Sequence, residues 1–122
     1  MTKIQVKRVY SDPDGSREED GYRVYADRLW PRGESKEKFH YDLWAKDIAP
    51  STELREWFHQ DPANRWDEFK KRYIAELNEN PEVETLVKHL SEYPLVTLLF
   101  SSRNIAENNA DVLADYLSER LA

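Results

Sequence analysis

The sequence predicts an α/β fold: a single three-layer domain over residues 1–122, with a short, mostly parallel sheet flanked by helices. Three observations predict it. A run rich in β-branched and aromatic residues, Ile4 to Tyr10, opens the chain. A nearly continuous apolar run, Leu95-Val96-Thr97-Leu98-Leu99-Phe100, stands near the other end and reads as a central strand buried on both faces. Between and after these runs, apolar residues recur every three or four positions, as on the inner faces of amphipathic helices.

Taken in order, Ile4 to Tyr10 is expected as a strand. Asp12-Pro13-Asp14-Gly15 is a turn signal inside a polar loop, because proline presets one backbone angle and glycine accepts a left-handed one. Tyr22 to Leu29 reads as a second strand, and Tyr41 to Ile48 fits either a short strand or an irregular buried segment. Ser51 can cap a short helix that carries Leu54, Trp57 and Phe58 on one face. Asp61-Pro62 sets a cap residue before a proline at the first helical position, and Trp66, Phe69, Tyr73 and Leu77 then mark the inner stripe. Asn80-Pro81 repeats the start signal ahead of Val83, Leu86, Val87 and Leu90, and Tyr93-Pro94 ends that helix. A last helix is expected from about Ala106, with Ala110, Leu113, Leu117 and Leu121 inside. Its acidic row, Glu107, Asp111, Asp115 and Glu119, reads as a solvated outer face.

Composition narrows the function. The chain has no cysteine, which excludes disulfides, thiolate metal sites and cysteine nucleophiles. No apolar run approaches a membrane span, and the N-terminal residues lack the apolar core of a signal peptide, so no membrane association and a cytoplasmic location are expected. The net charge of −6 makes nucleic acid an unlikely partner. That charge is uneven: Arg23 to Lys46 carries six basic and four acidic residues, a local basic surface suited to a small anion. His40, His59 and His89 lack metal-ligand spacing, and neither of the glycine-rich phosphate-loop patterns occurs, so no metal and no cofactor are expected.

Two motifs point to a site. Asp27-Arg28-Leu29-Trp30-Pro31-Arg32-Gly33 follows the second expected strand, and Ser101-Ser102-Arg103-Asn104 follows the last. Both put arginine where a strand gives way to a loop, the end of an open α/β sheet that binds ligands. Arg28, Arg32, Lys46 and Arg103 are the expected anion ligands, since a guanidinium fork matches a phosphate or carboxylate. Ser101 and Ser102 are expected to donate hydroxyls, and Asp27 and Asp47 to orient the basic groups or act as base. Trp30 fits the core better than a ligand platform.

Tyr22 to Gly33 followed by Ser35-Lys36, together with Trp44-Ala45-Lys46-Asp47-Ile48-Ala49-Pro50-Ser51, resembles the signature of the YeaO-like proteins, a bacterial family of unknown function. The resemblance continues through Leu54 to Phe58, Phe69 to Tyr73, Glu76-Leu77 and Val96 to Phe100, and ends in Asn108-Asn109. It implies a small α/β fold and a pocket near the matched polar residues, Asn108 among them. The family pattern usually has an acidic residue where Asn104 stands and often a histidine at Glu107. More distant relatives carry a Cys-His-Arg run near the last helix, a chemistry this cysteine-free chain does not share.

The functional expectation is a site that binds, or binds and turns over, a small anionic or phosphorylated ligand. The alternative is a non-catalytic interaction or regulatory module, whose surface would be the acidic row of the last helix, docking a basic partner, or an exposed patch among Trp30, Trp44, Trp57 and Trp66.

Overall fold

The computed structural model describes residues 2–11, 17–103 and 108–121. The expected turn at Asp12 to Gly15 and the expected start of the last helix near Ala106 lie outside them.

Four strands form one sheet in the order β1-β4-β2-β3: β1 (Lys3–Arg8), β2 (Tyr22–Tyr25), β3 (Leu43–Trp44) and β4 (Leu95–Phe100). Every pairing is parallel, with Ile4 opposite Val96, Val24 opposite Leu98 and Tyr25 opposite Trp44. The apolar run at 95–100 is the central strand, buried from Val96 to Phe100, as its unbroken hydrophobicity predicts. The helices are α1 (Arg17–Asp20, a single turn), α2 (Thr52–Gln60), α3 (Pro62–Glu79), α4 (Glu82–Leu90) and α5 (Asn109–Leu121).

The two faces of the sheet are covered differently. Alternation along the strands sends Val24, Val96, Leu98 and Phe100 to one face, where Leu54, Phe69, Tyr73, Leu77, Leu86, Leu90, Leu113 and Leu117 of α2–α5 complete the main core. The opposite face takes Val9, Tyr25 and Leu99, covered by Phe39 and the half-buried Trp30, Tyr41 and Trp44. That layer is an aromatic loop rather than a helix, its rings meeting edge to face at 5.4–5.8 Å around Trp30.

Further along this second face lies a buried charge cluster. Asp20 and Arg23 are both fully buried and form an ion pair, and Lys7 Nζ lies 2.6 Å from the other Asp20 oxygen. Arg23 also donates from Nε to the His40 carbonyl at 2.9 Å, and its backbone N–H donates to Asp42. Gly21 follows with φ +64°, directly beneath the Leu95 carbonyl.

The caps behave largely as their residues suggest. Ser51 Oγ accepts from the Leu54 N–H at 3.1 Å and ties α2 to α3 through Glu76. Asp61 differs: its carboxylate engages the Asn64 side chain instead of a backbone N–H, with Pro62 opening the helix. The segment 41–48 divides into the two-residue β3 and a 3₁₀ turn at Lys46–Ile48. The second strand is shorter than expected. Ala26 N–H still donates to the Leu99 carbonyl, but the next ladder position is taken by a side chain, because Ser101 N–H donates to the Asp27 carboxylate.

Two phenols bear on pH. Tyr73 is fully buried and donates to the Ile48 carbonyl at 2.7 Å; Tyr25 donates to the Leu29 carbonyl at 2.6 Å. Burial, and then the Asp27 charge, push both phenols above the ordinary tyrosine value. The folded state therefore holds these protons more tightly than the unfolded chain. Their contribution is intact below about pH 10 and is lost as pH rises further. The melting temperature is expected to fall steeply above that pH, and Tyr25→Phe with Tyr73→Phe to flatten the fall. A slope unchanged by both substitutions would assign the alkaline loss to other groups.

Candidate functional site

A cleft of about 570 Å³ opens at the carboxyl ends of β1, β2 and β4. Its walls are the segments that leave those strands, the first residues of α5, and one face of α2. From β1 come Arg8 and Tyr10; from β2, Asp27, Arg28, Leu29, Trp30 and Arg32; from β4, Ser101, Ser102 and Arg103. Asn108 and Asn109 line it from α5, and Arg55, Phe58 and His59 from α2, at the i, i+3, i+4 spacing of one helical face.

Main-chain and side-chain hydrogen bonds fix these walls. The Asp27 carboxylate accepts from the Ser101 N–H at 2.8 Å and from Ser101 Oγ at 2.6 Å, clamping the exit of β2 to the exit of β4. The Trp44 indole donates to the Asp27 carbonyl at 2.7 Å, and Trp30 to the Glu34 carbonyl at 2.7 Å. Asn109 reaches the Ala26 carbonyl at 3.1 Å. Arg8 donates from Nε to the Ser102 carbonyl at 2.7 Å and lies over the Tyr10 ring, while the Tyr10 hydroxyl donates to the Arg32 carbonyl at 2.7 Å. Asn108 is buried and caps α5, its Oδ1 accepting from the Asp111 N–H at 2.9 Å.

The electrostatics are one-sided. Among the described residues, five arginines line the cleft (Arg8, Arg28, Arg32, Arg55 and Arg103) against the single carboxylate of Asp27. Among the described residues, none of the five forms an ion pair with a carboxylate. Arg28 donates to the carbonyls of Ala49 and Pro50, both at 3.2 Å, neutral acceptors that hold the guanidinium without a counter-charge. The Arg55 Nε is buried without a hydrogen-bond partner. Arg32 and Arg103 are exposed. The arginine neutralised by a buried carboxylate is Arg23, on the far side of the sheet from the main core.

Of the residues expected at the site, the structure brings Asp27, Arg28, Arg32, Ser101, Ser102, Arg103 and Asn108 to this one cleft. It does not bring Lys46 or Asp47. Both are exposed on the 3₁₀ turn that leaves the edge strand β3, outside the cleft lining. The Lys46 ammonium sits 5.3 Å from the Trp44 ring centre, and the Asp47 carbonyl accepts from Asn80. Ser101 spends its hydroxyl proton on Asp27, which makes it a fastener of the wall. Asn104 and Glu107 lie outside the described residues. The sequence reading missed Arg8, Tyr10, Arg55, Phe58 and His59. Arg8 obeys the same strand-end rule as Arg28, and the α2 trio was legible as one helical face.

All four tryptophans are half-buried, neither exposed nor sealed in the core. Among the described residues no group of three or more histidine and carboxylate side chains is placed to hold a metal ion. No helix among them is long and apolar enough to cross a membrane.

A small parallel α/β fold with an arginine-lined cleft at its strand ends is the class these features define. Residues 3–122 match the model of the DUF488-N3i family, described as the inactive DUF488-N3 subclade, and the chain belongs to that family. It is 42% identical to the uncharacterised protein YeaO of Escherichia coli over 114 residues, covering 93% of this chain and 96% of that one. It is 43% identical to the uncharacterised protein Rv3073c of Mycobacterium tuberculosis over 119 residues, covering 98% and 97%. No solved structure matches it.

Proposed function

We propose that the cleft binds a small anionic ligand, with phosphate as the preferred charged group, and holds it without turning it over. The observation that carries this reading is the set of five arginines around one cleft, none paired with a carboxylate among the described residues, on a chain whose net charge is −6. A protein that is acidic overall and concentrates unpaired guanidinium groups in one concavity favours an anion there, since each group is a fork of donors lacking its counter-charge. The α5 N-terminus beside Asn108 adds backbone polarity of the same sign. Binding without turnover is supported by the description of the subclade as inactive and by the engagement of Ser101 Oγ with Asp27.

Thermal unfolding with added phosphorylated compounds, inorganic phosphate being the simplest, tests it. The melting temperature is expected to rise with concentration. Arg103→Ala, at an exposed position, is expected to keep the unliganded melting temperature and to weaken binding about tenfold or more, the worth of one charge-assisted hydrogen bond. Absence of any stabilisation by phosphorylated compounds would overturn the reading.

A further inference from the structure

The cleft has a second, apolar half that an inorganic anion would leave uncovered. Leu29 lies 56% exposed in its lining, between the half-buried Arg28 and Trp30. Its position is fixed, because its carbonyl accepts the Tyr25 hydroxyl at 2.6 Å. On the α2 side Phe58 shares a helical face with Arg55, and its ring packs against Phe69 at 4.5 Å; Phe69 in turn stacks on Trp66 at 5.6 Å. Phe58 and Phe69 both line the cleft, so an aromatic wall backed by a third ring stands beside the arginines. The volume of about 570 Å³ falls in the range of sites that enclose drug-sized organic molecules, far larger than a free phosphate needs.

Resting on the anion-site reading, we infer that the ligand is a phosphate ester of a planar ring: its phosphate lies among the arginines and its ring against Phe58 and Leu29. Rings favour offset or edge-on contact with phenylalanine, and guanidinium planes also accept a flat partner on their faces. A ring therefore gains contact with both halves of the cleft. Covering Leu29 and Phe58 removes apolar surface from water that folding alone leaves wet.

Titration calorimetry of the intact chain with three probes tests the inference: inorganic phosphate, phenyl phosphate and phenol. Phenyl phosphate is expected to bind about tenfold or more tightly than inorganic phosphate, the increment a buried ring contact supplies. Phenol alone is expected to bind too weakly to measure. Leu29→Ser, which alters an exposed side chain and spares the core, is expected to shrink the ratio between the two phosphates, and Phe58→Leu to shrink it further by removing the ring. Equal affinity for the two phosphates would overturn the ring while leaving the anion site standing. Phenol binding as tightly as phenyl phosphate, or no binding by any probe, would overturn both readings.

Discussion

Asp20→Ala is expected to lower the unfolding free energy by about 3–5 kcal/mol, the cost of stranding a buried charge. Asp20 is fully buried and serves two cations, Lys7 from β1 and Arg23 from β2. Removing its carboxylate takes the counter-charge from the fully buried Arg23 guanidinium, whose Nε bond to the neutral His40 carbonyl does not replace it. A small domain has about 5–15 kcal/mol in total, so the loss is a large share of stability. Urea unfolding of Asp20→Ala against the unaltered chain measures it. Asp20→Asn, which keeps an acceptor and the shape, is expected to lose less than the alanine variant. A loss below about 1 kcal/mol would mean that the pair is solvated and that Arg23 can relax to water.

The second large effect is expected one residue on. Gly21→Ala places a Cβ on a residue at φ +64° and drives it into the Leu95 carbonyl oxygen. The left-handed backbone and the overpacking together are expected to cost about 2–5 kcal/mol. The clash is with backbone of the central strand, so no side-chain rotation relieves it. Gly33 provides the control. Its φ is +84°, but a Cβ there would meet nothing within 4 Å, so Gly33→Ala should cost only the backbone part. Equal melting temperatures for the two variants would show that β4 shifts to make room.

The parts of the fold legible in the sequence are those where one local signal dominates. The run Leu95 to Phe100 has no polar alternation, and that is how a strand with cores on both faces must read. Ser51 and Pro62 announce the starts of α2 and α3 through backbone chemistry that needs no tertiary contact. The early end of β2 was hidden because Asp27 replaces a main-chain acceptor with its side chain, a substitution that only the position of Ser101 reveals. The burial of Arg23 was equally hidden, since its partner Asp20 comes from another element and is shared with Lys7 of β1. In the candidate site, the strand-end rule led to the segments after β2 and β4 but was not applied to Arg8. Lys46 follows a strand as well, yet β3 is a two-residue edge whose exit lies away from the cleft. Arg55 was masked by the many charges of α2, where only Phe58 and His59 on the same face distinguish it.

The central strand is also the last strand in the sequence, and this sets the order in which the molecule can assemble. β1 has one partner in the sheet, β4, whose residues lie 92 positions further along the chain, as for Lys3 and Leu95. As the chain is synthesised, β1 and β2 wait for the last strand, and their contacts across long sequence separations make folding slow relative to a helical bundle of equal size. Chains ending before Phe100 would leave an unmatched apolar strand edge, an invitation to association with other nascent chains. Arg8 and Arg28, on the segments leaving β1 and β2, come into their common cleft only when β4 slots between those strands. The arginine-lined cleft should therefore form late, in the same step that completes the sheet.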